Sequence, residues 1–374
     1  MKLVLLGPTS PHRGGIARYG TLLLAELLKR HDGLGIGFDR LYPAFLFPGQ
    51  NQLDAESHSS EQPPVERILH YLRPGSWTRA AQRIDEFAPA AVVLTWWVTF
   101  WAPYLGWLAR RLTRRHRIIY LCHNVYPHEA SFIDRPLVRF ALKPAGRFIV
   151  HSEENRGQLL QLFPNARVLR QAHPAYGFNP LSAIESGEAR KRLSIQGRML
   201  LFFGFVRSYK GLDLAIEALA KVKDDLPDLS LWICGEFWDN RRKYEGLIEH
   251  YGLQNRVRIE AGFLPQSDLG LRVAACDGVL LPYRSVTGSG ILGNALAMNK
   301  PVIASNTGSL GEMVEHGRSG LLCEPNDSTA LARAIRDFYA GEGPKRFAVG
   351  VEAAKAQFSW DGIIRAIEEL AQDG

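Results

Sequence analysis

Short, almost purely apolar runs alternate with segments of helical period along nearly the whole chain, and the alternation occurs twice. The first series of runs covers 3–6, 91–95, 118–122, 148–151 and 167–170, with helix-period segments at 16–30, 77–87, 103–114 and 154–163. The second covers 199–206, 230–234, 257–260, 278–281, 301–305 and 321–323, with helices expected at 212–223, 243–251, 291–298 and 329–339. After Gly211, the residues Leu214, Ala215, Ala218, Leu219 and Val222 recur at helical spacing and so share one face. Apolar runs without polar alternation belong to parallel strands covered on both faces, and their alternation with helices builds doubly wound α/β sheets. The sequence therefore predicts two Rossmann-like domains. Pro174, Gly177 and Pro180 interrupt both periods. The expected division is 1–176, 177–358 and a closing helical segment, 359–374, that no strand follows.

Hydrophobic residues fill 46% of the 374 positions and charged residues 22%, a composition that builds packed cores and excludes disorder. No fixed-period repeat is present, which excludes solenoids. Basic side chains exceed acidic ones by 45 to 38, and the excess is uneven: 22 against 13 over residues 1–176, then 23 against 25. Such charge suits phosphate-bearing ligands, an anionic membrane or nucleic acid, and the last is set aside because no recognition motif accompanies it. Cys122, Cys234, Cys276 and Cys323 stand far apart without a Cys-x-x-Cys pair. Neither a disulfide framework nor a zinc site is expected, and a reducing cytoplasm fits. The apolar core of Met1 to Gly7 is too short for a secretion signal. Residues 90–109 carry no charge and are long enough to span a membrane, yet Pro103, Gly106 and the pair Trp96 and Trp97 favour a buried strand leading into an aromatic loop and helix. The stretch 41–65 is too long for a tight connection and is expected to be a substrate-facing loop.

Phosphate chemistry is written most clearly in Gly204-Phe205-Val206-Arg207-Ser208-Tyr209-Lys210-Gly211. It puts Arg207 and Lys210 at the carboxyl end of a strand, where open parallel sheets bind ligands. Arginine offers a planar fork and lysine a point charge, a pairing suited to a diphosphate. Thr287-Gly288-Ser289-Gly290 precedes a helix, whose first amides are available to an anion. A third glycine turn, Gly7 to Gly15, follows the first strand but lacks the Gly-x-Gly-x-x-Gly of dinucleotide enzymes, so an NAD site is disfavoured.

These features resemble the GT-B glycosyltransferases of family 4 over nearly the whole chain. The marks are Gly14-Gly15-Ile16, the Gly204–Gly211 stretch, Gly235-Glu236, Gly262-Phe263-Leu264, Asn294 to Ile303 with its Asn299-Lys300-Pro301, and Phe358-Ser359-Trp360. The resemblance implies two Rossmann-like domains facing a cleft, an N-terminal acceptor domain, a C-terminal donor domain and a last helix crossing back to the first. It implies Arg207 and Lys210 on the donor diphosphate, with the amides of Ser289, Gly290 and Ile291. It puts Phe263 and Leu264 at the nucleobase, Gly14, Gly15 and Glu236 against the donor, and His123 beside the transferred sugar. His151, His128 and Glu129 are secondary candidates. The resemblance also implies no divalent metal or other cofactor, and no Asp-x-Asp is present; a UDP-sugar is favoured over a GDP-sugar. One departure stands out. The family usually carries two glutamates eight positions apart, and here Asn294 occupies the ribose position and Val286 the sugar position.

Retention of configuration, implied by the resemblance, lets the leaving diphosphate take the acceptor proton while Arg207, Lys210 and the helix end stabilise its charge. Inversion would require a general base, for which His123 and Glu129 are the candidates. The acceptor is expected to be a glycan, a lipid-linked or a small molecule. Arg110, Arg111, Arg114, Arg115 and Arg117, downstream of Trp96, Trp97, Phe100, Trp101 and Tyr104, read either as a patch for an anionic membrane surface or as a solvated face over a buried aromatic cluster. The first reading makes the protein peripheral on the inner face of the membrane. Two alternatives share the fold: a non-catalytic GT-B partner subunit and a nucleotide-sugar epimerase.

Overall fold

The computed structural model describes residues 1–43, 53, 62–127, 131–176 and 184–372. It divides into two compact units: unit 1 is Met1–Ala172 with Trp360–Gly374, and unit 2 is His173–Ser359.

Unit 1 holds strands β1 (Lys2–Leu6), β2 (Asp32–Arg40), β3 (Val65–His70), β4 (Ala91–Trp96), β5 (Arg117–Cys122), β6 (Arg147–Val150) and β7 (Arg167–Arg170). All pair in parallel, in the order β3-β2-β1-β4-β5-β6-β7. The apolar runs are strands because both faces are covered: every residue of β4 is buried. β2 and β3 are elements that the apolar pattern does not announce. β2 is interrupted by glycines, and a Cβ at Gly35 would lie 2.4 Å from Leu24 Cδ2, so the helix Gly15–Leu28 sits directly on the strand.

The uncharged stretch 90–109 resolves into β4, a 3-10 turn at Thr99–Trp101 and the helix Ala102–Leu112. Trp96 and Trp101 are fully buried and Trp97 nearly so; Trp97 and Trp101 pack against Phe38, Trp101 also against Trp77, and Trp96 against Tyr120. These tryptophans are core. Among the described residues, no helix is long and apolar enough to cross a membrane. Of the long loop, residues 44–52 and 54–61 lie outside the described residues, as do His128 and Glu129.

The helix Trp360–Gln372 completes unit 1. Its buried Ile363, Ile364, Ile367 and Leu370 pack against the helix Gly15–Leu28 and strands β5 and β6. At its rim Arg30 pairs with Asp361, His31 with Glu368 at 2.9 Å, and Arg117 donates to the carbonyl of Ala371 at 2.9 Å.

Unit 2 holds β8 (Met199–Phe203), β9 (Ser230–Gly235), β10 (Val257–Ala261), β11 (Gly278–Leu281), β12 (Val302–Ser305) and β13 (Gly320–Cys323). They are parallel in the order β10-β9-β8-β11-β12-β13. Strand order reverses between β8 and β11 here and between β1 and β4 in unit 1. Ligands of such sheets bind beyond the strand ends at that reversal.

Candidate donor site

In unit 2 the loop after β8 and the turn after β11 meet at the reversal. Gly204, at φ 100°, follows β8 directly. A Cβ there would lie 3.2 Å from Lys210 Nζ and 2.9 Å from Ile291 Cδ1, so only glycine lets these two side chains converge. A short 3-10 turn, Ser208–Lys210, carries the lysine inward, where it is 7% exposed. Its ammonium lies 5.5 Å from the Tyr283 ring. No carboxylate pairs with it among the described residues. Burial, joined by the charge of Arg207, brings its pKa down to about 8. Arg207 also lacks a carboxylate among the described residues, and its guanidinium stands 5.3 Å over the Trp238 ring. The absence of counter-ions is local, because an adjacent brace is fully paired. Arg284 binds Asp213 through two contacts of 3.0 Å and donates to the Ser208 carbonyl at 2.7 Å. Burial would push the Asp213 carboxyl up, but hydrogen bonding and charge from Arg284, with the charge of Lys243, outweigh it and hold it low.

Opposite Lys210, Ser289 caps the helix Gly290–Ala297 by accepting from the Leu292 amide at 3.2 Å. The amides of Gly290 and Ile291 have no acceptor among the described residues, as expected for a first helical turn. Two cations without a carboxylate partner among the described residues and a helix N-terminus thus share one end of the sheet. That is an anion site in its electrostatics.

The remaining unit 2 candidates lie at neighbouring strand ends. Glu236 follows β9, and its carbonyl accepts from the Val206 amide at 2.8 Å, which ties the Arg207 loop to β9. Phe263 and Leu264 follow β10, half-buried, beyond a hydrogen bond of 3.0 Å from the Gly262 amide to the Gly235 carbonyl. Asn294 is inside the helix, and its Oδ1 accepts from the Tyr176 amide at 2.7 Å. One of the two lone pairs of that oxygen is thereby committed to backbone, which leaves the other and the amide NH2 for a ligand. Val286 is 4% exposed, and its carbonyl accepts from the Ser309 amide at 3.4 Å. Trp238, Tyr283 and the Arg284–Asp213 brace are additions to the sequence reading. Nothing in a linear motif marks them.

Gly14, Gly15 and His123 belong to unit 1. Gly14, at φ 107°, turns the chain into the helix Gly15–Leu28. One helical turn on, Tyr19 meets His123 edge to face at 4.7 Å between ring centres. Tyr19 also contacts the rings of His151 and Trp360 at 5.5 and 5.1 Å. Burial lowers the His151 pKa to about 4, partly opposed by its hydrogen bond with the Gln171 carbonyl, so this imidazole is neutral at pH 7.

Residues 186–356 match the family described as "Glycosyl transferases group 1". A D-inositol 3-phosphate glycosyltransferase of Streptomyces scabiei is 26% identical over 242 residues, 61% of this chain and 54% of that protein. The chain thus spans about half the length of that relative. A GDP-mannose-dependent alpha-(1-6)-phosphatidylinositol monomannoside mannosyltransferase of Mycolicibacterium smegmatis is 25% identical over 364 residues, 92% of this chain and 90% of that one. Among solved structures, Anabaena HepE in complex with UDP superposes with a TM-score of 0.74 at 21% identity, covering 99% of both chains.

Proposed function

We propose that this chain, a GT-B protein of the group 1, family 4-like glycosyltransferase class, moves a sugar from a nucleoside diphosphate sugar to an acceptor hydroxyl. The observation that carries the reading is Lys210: a buried ammonium with no carboxylate partner among the described residues, beside Arg207 and an open helix N-terminus. A cation held from water without a counter-ion is stabilised when a polyanion arrives. The same donors then stabilise charge building on the leaving diphosphate. Unit 2 is assigned the donor and unit 1 the acceptor. Phe263 and Leu264 are assigned to the base, the Asn294 amide NH2 to the ribose, Gly14, Gly15 and Glu236 to the donor, and His123 to the transferred sugar, with retention of configuration. A UDP-sugar is favoured by the UDP held in HepE, and the GDP-mannose named for the mycobacterial relative makes GDP the competitor. That relative's phosphatidylinositol-based substrate and the basic charge of residues 1–176 support a lipid-linked acceptor met at an anionic membrane surface.

Turnover of UDP-sugars and GDP-sugars by Arg207→Ala and Lys210→Met tests the donor assignment. Each variant should lose ~2–4 kcal/mol of transition-state stabilisation, roughly 30- to 1000-fold in rate. Arg207→Ala should leave stability within about 0.5 kcal/mol, as for other surface changes. Unchanged turnover in both variants removes the assignment. One observation favours a second reading, a non-catalytic partner subunit: Val286 is buried and the Asn294 carbonyl is bound to backbone, so neither position offers a carboxylate. Nucleotide binding without turnover across a broad acceptor set would select it.

A further inference from the structure

The densest positive charge of the molecule is in unit 1, at the strand ends opposite those that carry Gly14 and His123. Between Ala91 and Ser152 nine basic residues accompany two acidic ones, Glu129 and Asp134. Asp134 is 6% exposed, and its carboxylate accepts from Thr99 and Ser131. The helices Ala102–Leu112 and Asp134–Leu142 pack side by side. The Phe140 ring comes within 2.6 Å of where a Cβ on Gly106 would stand, and the Arg110 guanidinium lies 3.9 Å over that ring.

The outer stripe of the first helix is Pro103, Trp107 and Arg110, continued by Arg114, and that of the second is Arg135, Arg139 and Phe140, continued by Lys143. Phe132 just ahead of the second helix is 92% exposed, Ile133 51%, and Trp107 and Phe140 42% each. Where both helices end, Arg114, Arg115, Arg117 and Arg147 line a cavity of about 550 Å³. Asp85 pairs with Arg111, Arg115 and His116, while Arg114 and Arg147 have no carboxylate partner among the described residues. Arg114 belongs to both the stripe and the cavity, so the two features are continuous.

Exposed aromatic rings interleaved with cations, without an exposed carboxylate on either helix, match one kind of surface. An apolar boundary lies under a layer of phosphates in an anionic bilayer. A soluble polyanion would use the arginines and leave Phe132 and Trp107 in water. We infer that this helix-pair face docks on an anionic phospholipid bilayer, with Phe132, Trp107 and Phe140 entering the headgroup boundary and Arg114 and Arg147 taking headgroup phosphates in the cavity. This gives a surface to the membrane encounter of the transfer reading and rests on that reading for its purpose. Its test needs neither donor nor acceptor, so each can fail alone.

The experiment is co-sedimentation of the full chain with vesicles of phosphatidylcholine, with and without phosphatidylglycerol, at low and high salt. Expected is binding to the phosphatidylglycerol vesicles only, weakened by salt. Arg114→Ser with Arg147→Ser should reduce it roughly 25-fold, at about fivefold per basic residue near the surface. Phe132→Ser with Trp107→Ser should reduce it while the melting curve shows the chain still folded at the assay temperature, which separates docking from folding. Equal binding to both vesicle types, or none, overturns the inference. So does vesicle binding that both double variants retain. Inorganic phosphate that stabilises the protein through Arg114 and Arg147, without vesicle binding, would overturn it in favour of a soluble anion. Self-association lost in the Phe132/Trp107 variant, without vesicle binding, would overturn it in favour of a second copy.

Discussion

Lys210 gives unit 2 a pH dependence with two opposed signs. Its folded pKa of about 8 lies below the ordinary lysine value of about 10.4. Between those values the unfolded chain binds a proton that the folded chain has released, so this group's contribution to stability rises with pH. If Lys210 holds the donor diphosphate as proposed, nucleotide affinity runs the other way, since that contact requires the ammonium. Titration calorimetry with UDP or GDP should show affinity falling from about pH 7 to about pH 9, with Lys210→Arg flattening the fall because guanidinium stays charged. A wild-type profile as flat as that of the arginine variant would take Lys210 away from the phosphates. The placement of Arg207 and Lys210 at a strand end was legible, because strand, turn and cations are contiguous. That neither meets a carboxylate among the described residues was not, because it depends on which distant side chains the fold brings near, as it brings Arg284 to Asp213, 71 residues away in sequence.

At the scale of elements, Asn299-Lys300-Pro301 shows a motif whose observed contacts are structural. Asn299, at φ 58°, takes the left-handed turn just after the helix Gly290–Ala297. Lys300 Nζ then donates to the carbonyls of Ala274 and Cys276 at 2.7 Å each, closing the end of the helix Gln266–Ala275. Lys300→Met removes both bonds and strands two carbonyls, which should cost about 2 kcal/mol. Thermal unfolding of unit 2 reads this directly, and an unchanged midpoint would leave Lys300 a solvated cation. Helix-period segments such as 212–223 were legible because apolar spacing within one element is a local property. β2 escaped for the converse reason. Its glycines at 33, 35 and 37 carry no apolar signal; the first two lie under Leu28 and Leu24 of the helix laid across them, and the third lies against Val65 of β3.

For the whole molecule, the closing helix is a stability element of unit 1. Removing residues 360–374 would expose the surface that Ile363, Ile364, Ile367 and Leu370 cover on β5 and β6. At ~2 kcal/mol per buried aliphatic side chain, the loss rivals the ~5–15 kcal/mol stability of a domain. Hydrogen exchange should show β5 and β6 losing protection while β8 to β13 keep theirs, and retained protection in β5 would sink the idea. By itself the sequence determined the two parallel α/β sheets and the phosphate-suited loop, since apolar period and a strand-turn-cation motif are set by near neighbours. Only the tertiary structure decided that Trp96, Trp97 and Trp101 are core while Trp107, Phe132 and Phe140 face out, and that Asn294 holds the Tyr176 backbone. Those outcomes are burial and pairing between residues far apart in sequence, and no local period encodes which distant surface a side chain will meet.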